Sequence, residues 1–237
     1  SDAPKGMQWL ENDKVKLLLG PEGAHIYRWE IKEMGGLDVT MPGETAWTGF
    51  ADIGGEHRSV TSKLQCVASG PALVRYVCTD EHGLVKTISL FAGASWAEVT
   101  LNSPVGYFWA FDNPKNFAAD GPTPGQYLFS NGATGPVGKE AAGVGAQVPT
   151  QGAHWGVKFI PEKWALGVVT PEVATTHVIA PGAGAGGVGV EGGGGASHFV
   201  IYAGALAGKP GDLMKRLQAT LDFRNPPEVT QHAIQAR

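Results

Sequence analysis

Residues 61–101, TSKLQCVASGPALVRYVCTDEHGLVKTISLFAGASWAEVTL, decide the fold. Four alternating stretches, 61–68, 72–80, 84–91 and 94–101, are separated by Ser69-Gly70-Pro71, Glu81-His82-Gly83 and Ala92-Gly93. Alternation gives a strand one buried and one solvated face, while Gly and Pro supply the chain reversals. The stretch therefore reads as an antiparallel β-meander.

The pattern extends in both directions. In 14–19, Val15, Leu17 and Leu19 share one face and Lys14 and Lys16 the other, followed by the turn Pro21-Glu22-Gly23. In 24–32, Tyr27, Trp29 and Ile31 point inward and Arg28, Glu30 and Lys32 outward. Strands resume at 155–160, 166–170 and 198–205. Asp212 is placed to cap a helix of about 212–222, in which Leu213, Leu217 and Leu221 recur at i, i+4 and i+8. The expected fold is all-β: a sandwich of antiparallel strands with long loops and one C-terminal helix, a single domain over 1–237. No internal repeat is visible.

Three stretches lack clear periodicity: 34–58, 103–151 and the low-complexity 181–197. Loops of such length are uncommon without a function. A Gly run such as that in 181–197 suits a flexible loop or a place where backbone approaches something closely.

With 43% hydrophobic residues among 237, the chain can bury a substantial core, which excludes general disorder. A net charge of -4 with 17% charged residues offers no surface for neutralising a phosphate backbone, so nucleic acid is not an expected partner. No apolar run reaches the roughly 20 residues of a membrane helix. The first residues, Ser-Asp-Ala-Pro-Lys-Gly, have neither the features of a signal peptide nor an initiator methionine, which fits a mature chain after signal removal or a trimmed one. The expected location is secreted or periplasmic. Cys66 and Cys78 match no disulfide framework, metal motif or redox motif, and hairpin pairing would set Cys66 near Arg75, so two buried free thiols are expected.

The residues Leu10-Glu11-Asn12-Asp13-Lys14-Val15-Lys16, then Gly20-Pro21-Glu22-Gly23-Ala24 through Trp29, then Ser69-Gly70-Pro71-Ala72-Leu73-Val74 with Val85-Lys86-Thr87-Ile88-Ser89-Leu90-Phe91-Ala92-Gly93, resemble the galactose-mutarotase-like β-supersandwich. That domain is shared by aldose epimerases, polysaccharide lyases and glycoside hydrolases. The resemblance spans roughly residues 8 to 103 and implies a sheet that forms one wall of a sugar groove. In the epimerases of this fold a histidine in the middle strands is general acid and a late glutamate general base. Gly187-Val188-Gly189-Val190-Glu191 looks like the strand that delivers the glutamate, whereas Tyr107 to Phe111 contains no histidine.

Glu191 is accordingly the first candidate base, since a carboxylate flanked by glycines can be held at a groove wall. Glu56, His57 and Arg58, beside Asp52, form a polar cluster in which a histidine can move a proton and an arginine can hold a uronic carboxylate. His177 is a further candidate for proton transfer. Trp47, Tyr107, Trp109 and Tyr127 offer flat rings for sugar faces. The segment 107–111 equally reads as a core strand with alternating rings. Trp9, Trp29, Trp96, Trp155 and Trp164 are expected in the core, and His25 and His82 exposed in turns. Asp112, Asn113, Asn116 and Asp120 carry oxygen donors but no metal-site spacing, so neither metal nor cofactor is expected.

The function expected is binding, with processing by acid/base chemistry, of a poly- or oligosaccharide. The type, lyase, epimerase or hydrolase, is open. The alternatives are a non-catalytic carbohydrate-binding module and a structural or protein-interaction sandwich; oligomeric state is open too.

Overall fold

A computed structural model describes residues 2–41, 50–53, 60–113, 116, 125–137, 147–150, 153–171, 174–182 and 185–224. The strands are β1 (Gln8–Glu11), β2 (Val15–Leu19), β3 (Ile26–Ile31), β4 (Leu37–Asp38), β5 (Phe50–Ile53), β6 (Ser62–Ser69), β7 (Leu73–Asp80), β8 (Val85–Phe91), β9 (Trp96–Asp112), β10 (Gly125–Phe129), β11 (Thr134–Val137), β12 (Gln147–Thr150), β13 (Trp155–Ile160), β14 (Trp164–Val169), β15 (Ala174–Gly182) and β16 (Ala185–Ala205). One α-helix, α1 (Pro210–Arg224), follows them. Every named pairing is antiparallel.

Two of these strands make the architecture. The first half of β9 pairs with β8 and with the second half of β16, which continues to β14, β13, β10 and β11. The second half of β9 pairs with β5 and with the first half of β16, which continues to β15 and β12. Register breaks between Glu191 and Ala196, and again before His198, mark where the pair passes from one layer to the other. One layer is thus β6-β7-β8-β9-β16-β14-β13-β10-β11, here the helix-backed sheet. The other, the open sheet, runs β1-β2-β3-β5-β9-β16-β15-β12, with β4 beside β3.

The inner faces of the layers form the main core. Leu17, Trp29, Phe50, Phe108, Val188 and Val190 of the open sheet meet Ile88, Val99, Leu166, Val168, Phe199 and Ile201 of the helix-backed sheet. The rings of Phe108 and Phe199 lie 4.4 Å apart, and the Trp29 indole N–H donates to the Ala203 carbonyl at 3.0 Å. On the far side of the helix-backed sheet, Met214, Leu217 and Leu221 of α1 cover Trp155, Val157, Val169, Val200 and Tyr202. The architecture is a mutarotase-like sandwich with one helix.

Local chemistry accounts for the meander. Asp80 closes the β7–β8 hairpin by accepting from the backbone N–H groups of His82 and Leu84, both at 2.9 Å, an Asx turn completed by Gly83 at φ 85°. Asn12 donates to the carbonyls of Phe91 and Ala94, and the Asp13 carboxylate accepts from Gly93 N–H at 2.8 Å. The residues that carry the family resemblance therefore bind two turns together. Beside them, Gly70, Pro71, Leu73 and Leu90 help to line a cleft of about 230 Å³.

Several expectations are corrected. The stretches 103–112 and 185–197 are not irregular but continue β9 and begin β16, and β10, β11 and β12 lie within 103–151. Glycine weakens a strand in isolation, yet β16 has partners on both sides, which supply the ladder its side chains cannot. The helix begins at Pro210 rather than at an Asp212 cap. Proline needs no N–H at a first helical position, and Asp212 instead lies in the first turn, where the helix dipole favours it. Cys66 is exposed, not buried, because β6 is an edge strand; Cys78 is buried as expected. His25 is fully buried, edge-on to Tyr27 at 6.4 Å, where a turn position suggested exposure. Trp9 and Trp96 are only half-buried, and Lys16 caps the Trp9 ring at 4.2 Å. No helix among the described residues is long and apolar enough to cross a membrane.

Candidate functional site

Phe108, Ala110, Val188 and Val190 are buried between the layers. Side chains alternate along a strand, so positions 107, 109, 187, 189 and 191 fall on the opposite, outer face of the open sheet. Cross-strand register orders them into rows. One row is Ile53, Tyr107, Glu191 and Thr175; the next is Ala51, Trp109, Gly189, His177 and Pro149. Four of the residues singled out from sequence thus occupy neighbouring positions on one face.

The spacing of these positions follows from sheet geometry. Tyr107 is directly opposite Glu191, and directly opposed residues stand about 4.5–5.5 Å apart. His177 is the diagonal neighbour of Glu191 on the next strand, about 7–8 Å away. Trp109 and His177 flank Gly189 from either side, two strand spacings or about 10 Å apart. Gly189 contributes no side chain between them, and it is itself buried. The register sets an aromatic position on one side of the Gly189 backbone and an imidazole position on the other. A carboxylate position stands beside them.

The other candidates lie elsewhere. Tyr127 is in β10 of the helix-backed sheet, half-buried against the main core, its ring 5.7 Å from Phe129 and its hydroxyl over Gly135, so it does not join this face. Trp47, Glu56, His57 and Arg58 lie outside the described residues, as does Asp120. Asp112 closes β9 in full burial, and Asn116 donates to the Asp38 carbonyl at 2.9 Å, so neither is free to line a shared metal site. Among the described residues, no three His, Cys, Asp or Glu side chains converge as metal ligands.

Two polar pairs were not foreseen. His198 Nε2 stands 2.9 Å from Glu98 Oε1 on the outer face of the helix-backed sheet, both groups nearly buried. Lys158 pairs with Asp112 between the layers, and both side chains are wholly inaccessible. Burial holds the Asp112 carboxyl above the usual carboxylate range and the Lys158 ammonium below the usual lysine range, each shift opposed by the partner's charge. Trp155, Val157 and Phe159 claim one face of β13. They claim it for the helix, which leaves Lys158 pointing into the sandwich.

Comparison with known proteins places this fold. No protein-family model matches the sequence, and no curated relative is found. Solved structures do match. A galactose mutarotase-like protein from Lactobacillus casei aligns with 84% of this chain and 99% of its own at 10% identity, with a TM-score of 0.53. An alpha-N-acetylgalactosaminidase from Bifidobacterium bifidum aligns with 92% of this chain and 39% of its own at 12% identity, with a TM-score of 0.57. The periplasmic domain of Thermotoga maritima YidC aligns with 94% of each chain at 10% identity, with a TM-score of 0.50. At such identities the likeness is one of fold.

Proposed function

Because the chain has the galactose-mutarotase-like β-sandwich fold, we propose that it is a carbohydrate-active protein that takes a poly- or oligosaccharide on the outer face of the open sheet. The observation that carries this reading is the register that sets Glu191, His177, Trp109 and Tyr107 around Gly189. In this reading the rings of Trp109 and Tyr107 stack on apolar sugar faces. Glu191 removes a proton from the bound sugar as general base, and His177 donates one to the oxygen that gains charge. The reaction belongs to the lyase, epimerase or hydrolase type, each of which needs such a pair.

The loop residues extend the same proposal. β5 ends at Ile53, beside Tyr107, and His57 follows four residues later in the sequence. His57 is then a second proton-transfer group, and Arg58 and Glu56 hold substrate hydroxyl or carboxylate groups together with Trp47. Secretion or a periplasmic location fits the exported character of a glycan-processing protein, and a periplasmic domain stands among the structures that share the fold. A second reading, a non-catalytic carbohydrate-binding module, is favoured by the absence of histidine in 107–111.

The test is a glycan screen of the purified chain that records binding together with unsaturated products and new reducing ends. Glu191→Gln and His177→Ala are expected to lower turnover at least a hundredfold while binding persists. Trp109→Ala is expected to weaken binding tenfold or more, in line with loss of about 1.4 kcal/mol or more of contact. Binding without products moves the protein to the module reading. Failure to bind any glycan, or affinity indifferent to Trp109→Ala and Tyr107→Ala, overturns the proposal.

A further inference from the structure

The Asp112–Lys158 pair is the one place among the described residues where two opposite charges meet with both side chains wholly inaccessible to solvent. Asp112 ends β9 on the open sheet, where it bridges Thr40 and pairs with Gly186. Lys158 lies in the middle of β13 on the helix-backed sheet, between Tyr127 and Leu166. The contact therefore spans the two layers and joins positions 46 residues apart in sequence.

As an ion pair this contact is poorly compensated. A buried pair repays the loss of hydration only when its remaining lone pairs find donors. Asp112 Oδ2 faces Lys158 Nζ, but Asp112 Oδ1 is buried and accepts no hydrogen bond. We propose that Asp112 and Lys158 are a modification site, at which the side chains condense into an intramolecular amide that clamps one sheet to the other.

The chemistry is self-contained. Lys158 Nζ attacks Asp112 Cγ, the C–N bond forms, and the Cγ–OH bond breaks. The departing hydroxyl takes a proton from the amine and leaves as one water, so no oxidant, reductant or further reactant is consumed. The step needs a neutral acid and a neutral amine, and burial pushes both groups towards those forms. Fixed contact in a packed interior supplies the proximity that a bimolecular condensation lacks, equivalent to effective concentrations of about 10⁵ M or more. The product also removes two charges from a dry core. The positions around Gly189 on the outer face of the open sheet take no part.

Intact mass of the full-length chain, measured under denaturing conditions after incubation in the folded state until the value is constant, tests the proposal. The expected mass is below the sequence mass by one water. Proteolysis is expected to release one branched peptide that carries both Asp112 and Lys158. Lys158→Met should restore the full sequence mass. An unchanged mass in the wild-type chain overturns the proposal. So does a water loss that persists in Lys158→Met or maps to a linear peptide, because that is the mark of an aspartyl succinimide. If Lys158→Met does not fold, the wild-type digest decides by itself.

Discussion

Gly20 gives the sharpest check on the packing, because two opposed effects compete there and the structure decides which wins. An added Cβ would lie 2.1 Å from Tyr27 Cε2 and 2.6 Å from both Cδ2 and Cζ. Carbon atoms rest about 3.5–4.0 Å apart, so the ring would have to retreat by more than an ångström. It has nowhere to go, since Tyr27 is 3% exposed and a ring cannot fold away like the end of a flexible chain. Gly20 does not have a positive φ, so alanine is not strained in its backbone. By chain entropy alone, Gly20→Ala would stabilise by about 0.4–1 kcal/mol. Overpacking of this kind costs about 1–3 kcal/mol, and more where the neighbour is rigid. With the rigid ring setting the cost at the upper end, about 3 kcal/mol, the net expectation is a loss of about 2–2.6 kcal/mol, which for a chain of this size is a Tm lower by roughly 4–10 °C. Gly70 is the control. Its Cβ would meet nothing within 4 Å and its φ is also ordinary, so Gly70→Ala should gain about 0.4–1 kcal/mol. Thermal or urea unfolding of both variants, with Gly20→Ala repeated in a Tyr27→Leu background, reads the result. If Gly20→Ala is as stable as Gly70→Ala, or its cost is unchanged without the ring, the argument fails.

Other expectations follow from burial. A thiol reagent at neutral pH should label Cys66 quickly and reach Cys78 only on unfolding; one label per folded chain is the readout, and two would contradict the edge position of β6. Burial pushes the Cys78 thiol up to about 11 from its ordinary 9.0, and burial likewise pushes the Tyr202 hydroxyl up to about 12 from 10.0. Both groups ionise first in the unfolded chain, so their contribution is full below pH 9 and is lost as pH rises through 11 to 12. Urea titrations should show that decline, and Cys78→Ala should flatten it between pH 9 and 11. Phe199→Ala, which removes the ring packed at a tilt against Phe108, should cost about 3–5 kcal/mol by equilibrium unfolding. Leu217→Ala under the helix should cost about 2–5 kcal/mol, and a value below about 1 kcal/mol would mean that α1 does not cover the sheet as described.

The parts of this fold that sequence made legible are those in which one strand buries one face. In 61–101 the alternation is regular and each reversal has its own chemistry, Asp80 and Gly83 at one corner and Gly93 at the next. Legibility fails where burial becomes two-sided or side chains vanish. At Lys158 the alternation gives no sign of burial: Trp155, Val157 and Phe159 fill the helix side of β13, and only the helix explains why the lysine is left facing inward. The strand character of 185–197 is hidden because glycine has little strand preference and the pairing that holds it comes from distant parts of the chain. For the candidate site, the residue types Glu191, His177, Tyr107 and Trp109 could be picked from sequence. Their adjacency could not, since it depends on the register of β9, β15 and β16. Tyr127, read from sequence as a loop ring for sugar faces, lies instead in β10, where it fills the space over Gly135 in an ordinary strand pair.

β9 and β16 belong to both layers, and this bears on how the molecule opens. A sandwich of two separate sheets can exchange its amide protons layer by layer, as each opens on its own. Here the same two strands supply Tyr107, Trp109 and Glu191 on one layer and Val99, Phe199 and Ile201 to the other. Deuterium uptake along the middle of β9 and β16 should accordingly follow a single opening event with the free energy of complete unfolding. The positions around Gly189 are therefore tied to the helix-backed sheet by the strands they share with it, and a weakened contact beneath α1 should speed exchange at Trp109 as much as at Val200.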